Sequence, residues 1–246
     1  MDQGGAARSR TCYVLLVLDH DSSLPVGVWT SKHEPGPSEM GLALYQAIWH
    51  VGRLDWPLRG GPGLVKVPAS LIAQVDNLPD VRRAAECLLV GVDTYKDERR
   101  WRGEPIVQQL QGAAADAVYA YTSRPYASCQ EVQDAVLAWL HQAVFASHNP
   151  AEIPKSFWST GYAMPGYDSP AAGWLLPRAN DSIRSVRNGV MRGDMLYTNS
   201  GFSIEPGHTL SYRMFPYVYS GTQRGLFLEY EGELHYLEPM TGHRLP

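Results

Sequence analysis

Cys12-Tyr13-Val14-Leu15-Leu16-Val17-Leu18-Asp19 is the stretch on which the reading of this chain turns. Its β-branched, leucine-rich run suits a strand buried on both faces, and it is too short to span a bilayer. Asp21-Ser22-Ser23 follows as a turn and Pro25–Ser31 as the returning strand, so the spacing predicts a hairpin.

Beyond the hairpin, Pro37-Ser38-Glu39 opens a helix that Ser38 is suited to cap, with Leu42, Leu44, Tyr45, Ile48 and Val51 as its apolar stripe. Gly60–Gly63 reads as a turn into the short apolar run Leu64–Val67, and it lacks the Lys-Ser/Thr ending of a phosphate-binding loop. Pro79-Asp80 starts a second helix through Ala84 and Ala85, followed by the strand-like Leu88–Val92. Hairpin, helix, strand, helix, strand is a mixed α/β layout.

Residues 1–9 are small or polar and read as a frayed start, while the charged segment Tyr95–Arg102 reads as solvated surface. Ser128-Cys129-Gln130-Glu131 is a capping box. The helix it opens carries Val132, Val136, Trp139, Leu140, Ala143 and Val144 and stops near His148-Asn149-Pro150. Residues 150–180, with several prolines and glycines, read as a connector folded onto the body.

After Pro177 the texture changes. The runs Ser182–Val186, Asp194–Tyr197, Thr209–Phe215, Gly225–Tyr230 and Glu233–Leu237 alternate with turn signals such as Asn188-Gly189, Glu205-Pro206-Gly207 and Glu231-Gly232. Short strands at near-regular spacing predict a small barrel. The expected organisation is therefore an α/β unit over 1–125, a helix and connector over 126–177, and an all-β barrel over 178–246.

The 246 residues are 44% hydrophobic, 19% charged and 11% aromatic, an ordinary globular composition. Net charge is −4 and the sequence pI about 6.0, so the chain lacks the broad basic footprint of a protein that grips duplex DNA over a long track. Cys12, Cys87 and Cys129 are far apart and include no CxxC pair, which argues against a disulfide framework or zinc site. With no signal peptide recognised, the expected location is the cytoplasm, with no membrane partner.

Read together, these features resemble a known family. Val17-Leu18-Asp19, Ser22-Ser23, Val26-Gly27, Glu34-Pro35-Gly36-Pro37-Ser38 and Ala43-Leu44-Tyr45-Gln46-Ala47-Ile48 resemble the retroviral-integrase-like, RNase H-like core of bacterial transposases. The tail is similar to the β-barrel that follows this core in phage Mu-type transposases. There the resemblance lies in Arg184-Ser185-Val186-Arg187-Asn188-Gly189-Val190, Leu196-Tyr197-Thr198-Asn199, Gly207-His208-Thr209-Leu210-Ser211-Tyr212-Arg213 and Pro216. Together the matches span most of the chain in the family's own order.

The departures decide the functional expectation. The resemblance implies a first catalytic Asp on a strand before Cys12, where this chain has only its first few residues, so the core is read as truncated. Asp19 falls beside the family's site and outside its triad. A second Asp should follow Leu64–Val67, but the sequence has Pro68-Ala69-Ser70; a Glu should follow Gly103–Val107, but the sequence has Gln108. DNA strand transfer in this family needs carboxylates to hold paired magnesium ions. The chain is therefore expected to have no catalytic or metal-binding residues and no cofactor, magnesium being implied only for an active core.

The expected role is DNA binding, or docking with the proteins of a transposition complex. Arg178, Arg184, Arg187 and Arg192 gather near the start of the barrel, with Arg213 on a later strand. Of these, Arg184, Arg187, Arg192 and Arg213 are the candidate phosphate contacts. The bland reading is a solvated face balanced by Asp181, Asp194, Glu205 and Glu229.

Two alternatives stay open. Asp19, Asp21, Asp80, Glu98 and Glu104 would have to assemble a displaced metal site, although Asp21 suits a turn, Asp80 a helix start and Glu98 a solvated run. The acidic balance and many aromatics suit a protein–protein module. The histidines show no metal-type spacing.

Overall fold

Tyr13–Leu18 (β1) folds back on Pro25–Ser31 (β2) as the expected antiparallel hairpin, with Val14 opposite Thr30 and Leu16 opposite Val28. The computed structural model describes residues 12–18, 25–49, 64–68, 79–88, 91–95, 128–140, 166–215 and 225–240, with the single positions 108 and 142. The expected burial of the two strands is reversed. β2 is buried along its whole length, whereas Tyr13 and Val14 of β1 are exposed and Leu15–Leu18 only half-buried.

Side-chain alternation explains the difference. Gly27 and Trp29 share one face of β2, which lies under the helix Pro37–Trp49 (α1). A Cβ on Gly27 would meet the Ala43 carbonyl oxygen at 2.6 Å, so helix and strand approach as closely as a side-chain-free residue allows. Val28 and Thr30 meet a second helix, Cys129–Trp139, so β2 is covered twice.

α1 buries Leu42, Leu44, Tyr45 and Ile48 as the stripe predicts. Its start corrects the expected cap. Gly36 donates its N–H to Glu39 Oε2 at 2.9 Å and its carbonyl accepts from Met40 N, so the helix begins before Ser38, which is exposed. Leu64–Pro68 (β3) and Gly91–Tyr95 (β4) pair in parallel around the helix Pro79–Leu88 (α2). The helix takes Leu88, expected to begin a strand, and β4 starts at Gly91.

The hairpin and the parallel pair are separate two-stranded sheets among the described residues. Leu15 and Val17 of β1 and Val65 of β3 rest on one shared core. The described residues thus form a mixed α/β unit. The positions 1–9, Asp19, Asp21, the Gly60–Gly63 turn, Ala69, Ser70, Glu98, Glu104, the Gly103–Val107 pattern and Pro216 lie outside them, as do Val51, Ala143 and Val144 and the charged run beyond Tyr95.

Cys129–Trp139 (α3) opens on the predicted capping box. Ser128 Oγ accepts from Glu131 N at 3.2 Å and Glu131 Oε2 from Ser128 N at 2.7 Å. Its buried Gln133 was not singled out by the sequence. The side-chain amide accepts from Thr30 N at 3.0 Å and donates to the Val28 carbonyl at 3.2 Å. These β2 groups point away from β1, so one side chain satisfies a strand edge that would otherwise be buried bare.

The connector contains an unexpected buried helix, Pro170–Leu175 (α4). Ser169 caps it by accepting from Ala172 N, and Pro170 occupies its first turn. Ala171–Leu176 are all buried, and the helix packs on α2, α1 and the last strand of the barrel. Small residues permit the approach. A Cβ on Gly41 of α1 would meet the Leu175 carbonyl, and one on Gly173 would meet the Phe227 ring at 2.6 Å.

The barrel closes with the strand order β10-β7-β6-β5-β8-β9. Its strands are Ile183–Val186 (β5), Gly189–Arg192 (β6), Met195–Thr198 (β7), Thr209–Arg213 (β8), Leu226–Tyr230 (β9) and Glu233–Pro239 (β10). The sequence reading missed β6, because its Gly189 was taken only as part of a turn. Glu231 and Gly232 join β9 to β10 with φ of 53° and 83°, the positive pair a tight hairpin turn requires.

Ile183, Val190, Tyr197, Tyr212, Leu226, Leu228 and Leu237 fill the barrel. Phe215, Phe227 and Leu234 face outward onto α1, α2 and α4, so the apolar core runs across the 177/178 boundary. No helix among the described residues is long and apolar enough to cross a membrane.

Replacing Gln133 by Ala is expected to lower unfolding free energy by about 2–4 kcal/mol, since it leaves a buried N–H and a buried carbonyl unmatched. Urea unfolding checks this; a midpoint indistinguishable from that of the parent would show that the strand edge is satisfied in another way.

Candidate nucleic-acid interface

Strand alternation separates the candidate arginines. Ile183 and Ser185 point into the barrel, so Arg184 between them points out and is exposed. Arg187 stands exposed in the turn between β5 and β6. Neither forms an ion pair or side-chain hydrogen bond with the described residues. They stand three positions apart in sequence, one on β5 and one in the turn that follows it.

Ser185, which the sequence does not single out, stiffens β5. Its Oγ donates to the Glu205 carbonyl at 2.6 Å and accepts from His208 N at 2.8 Å. Its backbone N donates to His208 O and its carbonyl accepts from Gly207 N. The Glu205–His208 turn is thereby tied to β5, and the exposed Arg184 sits on a strand held on both flanks.

Arg192 occupies a different place. It follows Val190 by two positions on β6, on the inward-facing register at the barrel rim. Its Nε donates to Tyr212 Oη at 2.8 Å, and the Tyr212 hydroxyl donates to Asp181 Oδ1 at 2.6 Å. Cation, phenol and carboxylate form one polarised chain. The hydrogen bond to Tyr212 holds the Arg192 guanidinium above its ordinary range. Burial, then the bond to Asp181, pushes the Tyr212 phenol above its ordinary 10.0. The Tyr212 hydroxyl holds the Asp181 carboxyl below its ordinary 3.8, against a smaller opposing effect of desolvation. Arg192 is thereby held in place at the rim while its side chain stays exposed.

Arg213 corrects the expectation of an open phosphate contact. It follows the inward-facing Tyr212 and so points out of the barrel wall, where α2 and α4 cover it and leave it 2% exposed. Its Nη2 donates to Asp80 Oδ2 at 2.9 Å and its Nη1 to the Leu176 carbonyl at 2.9 Å. The guanidinium carbon lies 4.9 Å from the centre of the Trp174 ring, a cation–π contact. Glu229 Oε2 stands farther off, at 3.9 Å, and Glu229 is itself gripped by both nitrogens of Arg178 at 3.0 and 2.7 Å.

Two of the five cations are therefore gripped by carboxylates and Arg192 by a phenol, leaving Arg184 and Arg187 as the pair without a side-chain partner among the described residues. Of the balancing acids, Glu229 is spent on Arg178, and Asp181 accepts from the Tyr212 hydroxyl. Asp80, proposed above for a displaced metal site, sits in the first turn of α2 and pairs with Arg213. No group of His, Cys, Asp and Glu among the described residues is arranged to hold a metal ion. Gln108, helical and exposed, is the one described position of the third expected carboxylate motif.

No protein-family model matches this sequence, and comparison with curated proteins returns no match.

Two variants test this electrostatic layout. Asp80→Ala is expected to destabilise the chain by about 2–3 kcal/mol, because it leaves a buried guanidinium without its main counter-charge; equilibrium unfolding followed by tryptophan fluorescence measures it. Tyr212→Phe is expected to raise the Asp181 titration midpoint toward 3.8 in carboxyl-carbon NMR. A depressed carboxylate contributes stability above the ordinary value, and that contribution disappears as pH falls through the folded value. The variant should lose that increment, and a midpoint that stays depressed would refute the role given to the hydroxyl.

Proposed function

We propose that this chain is a transposase-family protein without metal chemistry of its own, which binds DNA locally while docked in a larger transposition complex. The observation that carries the reading is the exposed pair Arg184 and Arg187, on β5 and in the turn after it, beside two arginines paired with carboxylates and a third bound by a phenol. Two phosphate contacts correspond to a salt slope of only about −2, too little for a long-lived solitary complex. Such a contact suits a component held in place by its neighbours.

The architecture supports the family assignment. An antiparallel hairpin, a helix, a parallel pair and then a closed barrel occur in the order that the resemblance implies. Neutral residues stand in place of the second and third carboxylates of an integrase-like core. An RNase H-like core without magnesium chemistry follows from this reading.

A protein–protein role has its own support. Phe202 packs at 4.5 Å from the His235 ring and 6.0 Å from the Tyr230 ring, building a half-buried aromatic cluster against the barrel's own core. It is compatible with docking in the same complex.

Fluorescence anisotropy with a labelled duplex, taken from about 50 to about 200 mM salt, tests the proposal. Weak binding with a log–log slope near −2 is expected, falling at least tenfold in the Arg184→Ala/Arg187→Ala double variant. Incubation with magnesium and supercoiled DNA should give neither nicking nor joining. Binding that ignores both salt and the double variant would overturn the DNA reading, and magnesium-dependent nicking lost in Asp19→Asn would establish the enzyme instead.

A further inference from the structure

Cys12 and Cys129, distant in sequence, meet in the fold. Their sulfurs lie 3.9 Å apart across 117 residues, the first just before β1 and the second in the first turn of α3. A disulfide bond is about 2.05 Å long, so about 1.9 Å of side-chain rotation separates the two thiols from a bond. The surrounding backbone is held. Thr30 Oγ1 donates to the Cys129 carbonyl at 2.7 Å, and the adjacent β1–β2 ladder places Tyr13 opposite Ser31.

We propose that Cys12 and Cys129 are an oxidative modification site, which a peroxide converts to an intramolecular disulfide stapling β1 to α3. One sulfur attacks the peroxide, forming a sulfenic acid and releasing water. The second thiol then displaces hydroxide from the sulfenic sulfur, and with its proton a second water leaves. Two thiols and one hydrogen peroxide thus give one disulfide and two waters, the sulfurs being oxidised and the peroxide reduced.

The consequence lies in the fold. β2 is sandwiched between the two stapled elements, with its edge clasped by Gln133 on the same helix. The bond would close a loop of more than a hundred residues, which removes much entropy from the unfolded chain. It would leave Arg184 and Arg187 untouched, since both lie on the barrel.

The reaction should be slow. Burial first, then the neighbouring Cys129 sulfur, pushes the Cys12 thiol up to about 12, so at neutral pH it is kept protonated. The pair would answer sustained oxidation rather than a brief pulse. Cys12 is half-buried and open to small oxidants, while Cys87 is exposed on α2 and is replaced in the test so that it cannot compete.

The full-length chain with Cys87→Ser, treated with hydrogen peroxide and quenched, tests this by intact mass and non-reducing peptide mapping. A loss of two hydrogens, one peptide joining Cys12 to Cys129, and a melting temperature higher by on the order of 10 °C are expected, all reversed by dithiothreitol. Cys12→Ser should abolish the joined peptide and the shift. If that variant folds poorly, mapping of the parent chain with and without dithiothreitol decides the matter alone. Recovery of the two cysteines as separate thiol or sulfinic peptides, or of intermolecular dimers only, would overturn the proposal.

Discussion

The guanidinium of Arg213 ties together parts of the chain that its strand alone could not reach. It leaves the barrel wall, crosses to Asp80 at the start of α2 and to the Leu176 carbonyl at the end of α4, and rests against Trp174. Most of the cost of burying the charge is offset by an ion pair, a carbonyl and a π-face, although its Nε has no hydrogen-bond partner among the described residues. Around this point Phe215, Phe227 and Leu234 add apolar area between barrel and helices. The barrel is therefore one wall of a shared core rather than a bead on a linker.

A second polar device works at the other end of the α/β unit. Buried amides are costly unless matched, and Gln133 matches the outward-facing Thr30 N–H and Val28 carbonyl with a single side chain. With α1 on one face and α3 on the other, β2 becomes the buried strand and β1 the more exposed one. The apolar content of β1 alone would suggest the reverse, because composition reports what a strand tolerates and not what covers it.

The charge pattern shows how tertiary structure redistributes a motif. Arg184, Arg187, Arg192 and Arg213 look alike in sequence. Alternation along β5, β6 and β8 sends the first outward, leaves the second in a turn, turns the third to the barrel rim and drives the fourth into the helical layer. Only Arg184 and Arg187 are exposed without a side-chain partner among the described residues, which accords with a chain whose net charge is −4. The proposed docking role follows from that small surplus.

Local sequence was enough for the elements whose signals are local. The capping box at Ser128–Glu131, the leucine stripe of α1, the strand–helix–strand order that became β3, α2 and β4, and five barrel strands were all readable from short-range pattern. The buried helix α4 and strand β6 were not, since proline, glycine and turn residues mask short elements whose stability comes from packing. Nor could sequence place Gln133, Ser185 and Arg213, or bring Cys12 to Cys129, because each depends on a partner dozens of residues away. Propensity and periodicity act over a few residues, whereas the closing of a barrel and the burial of a charge are decided by contacts that exist only after the chain has come together.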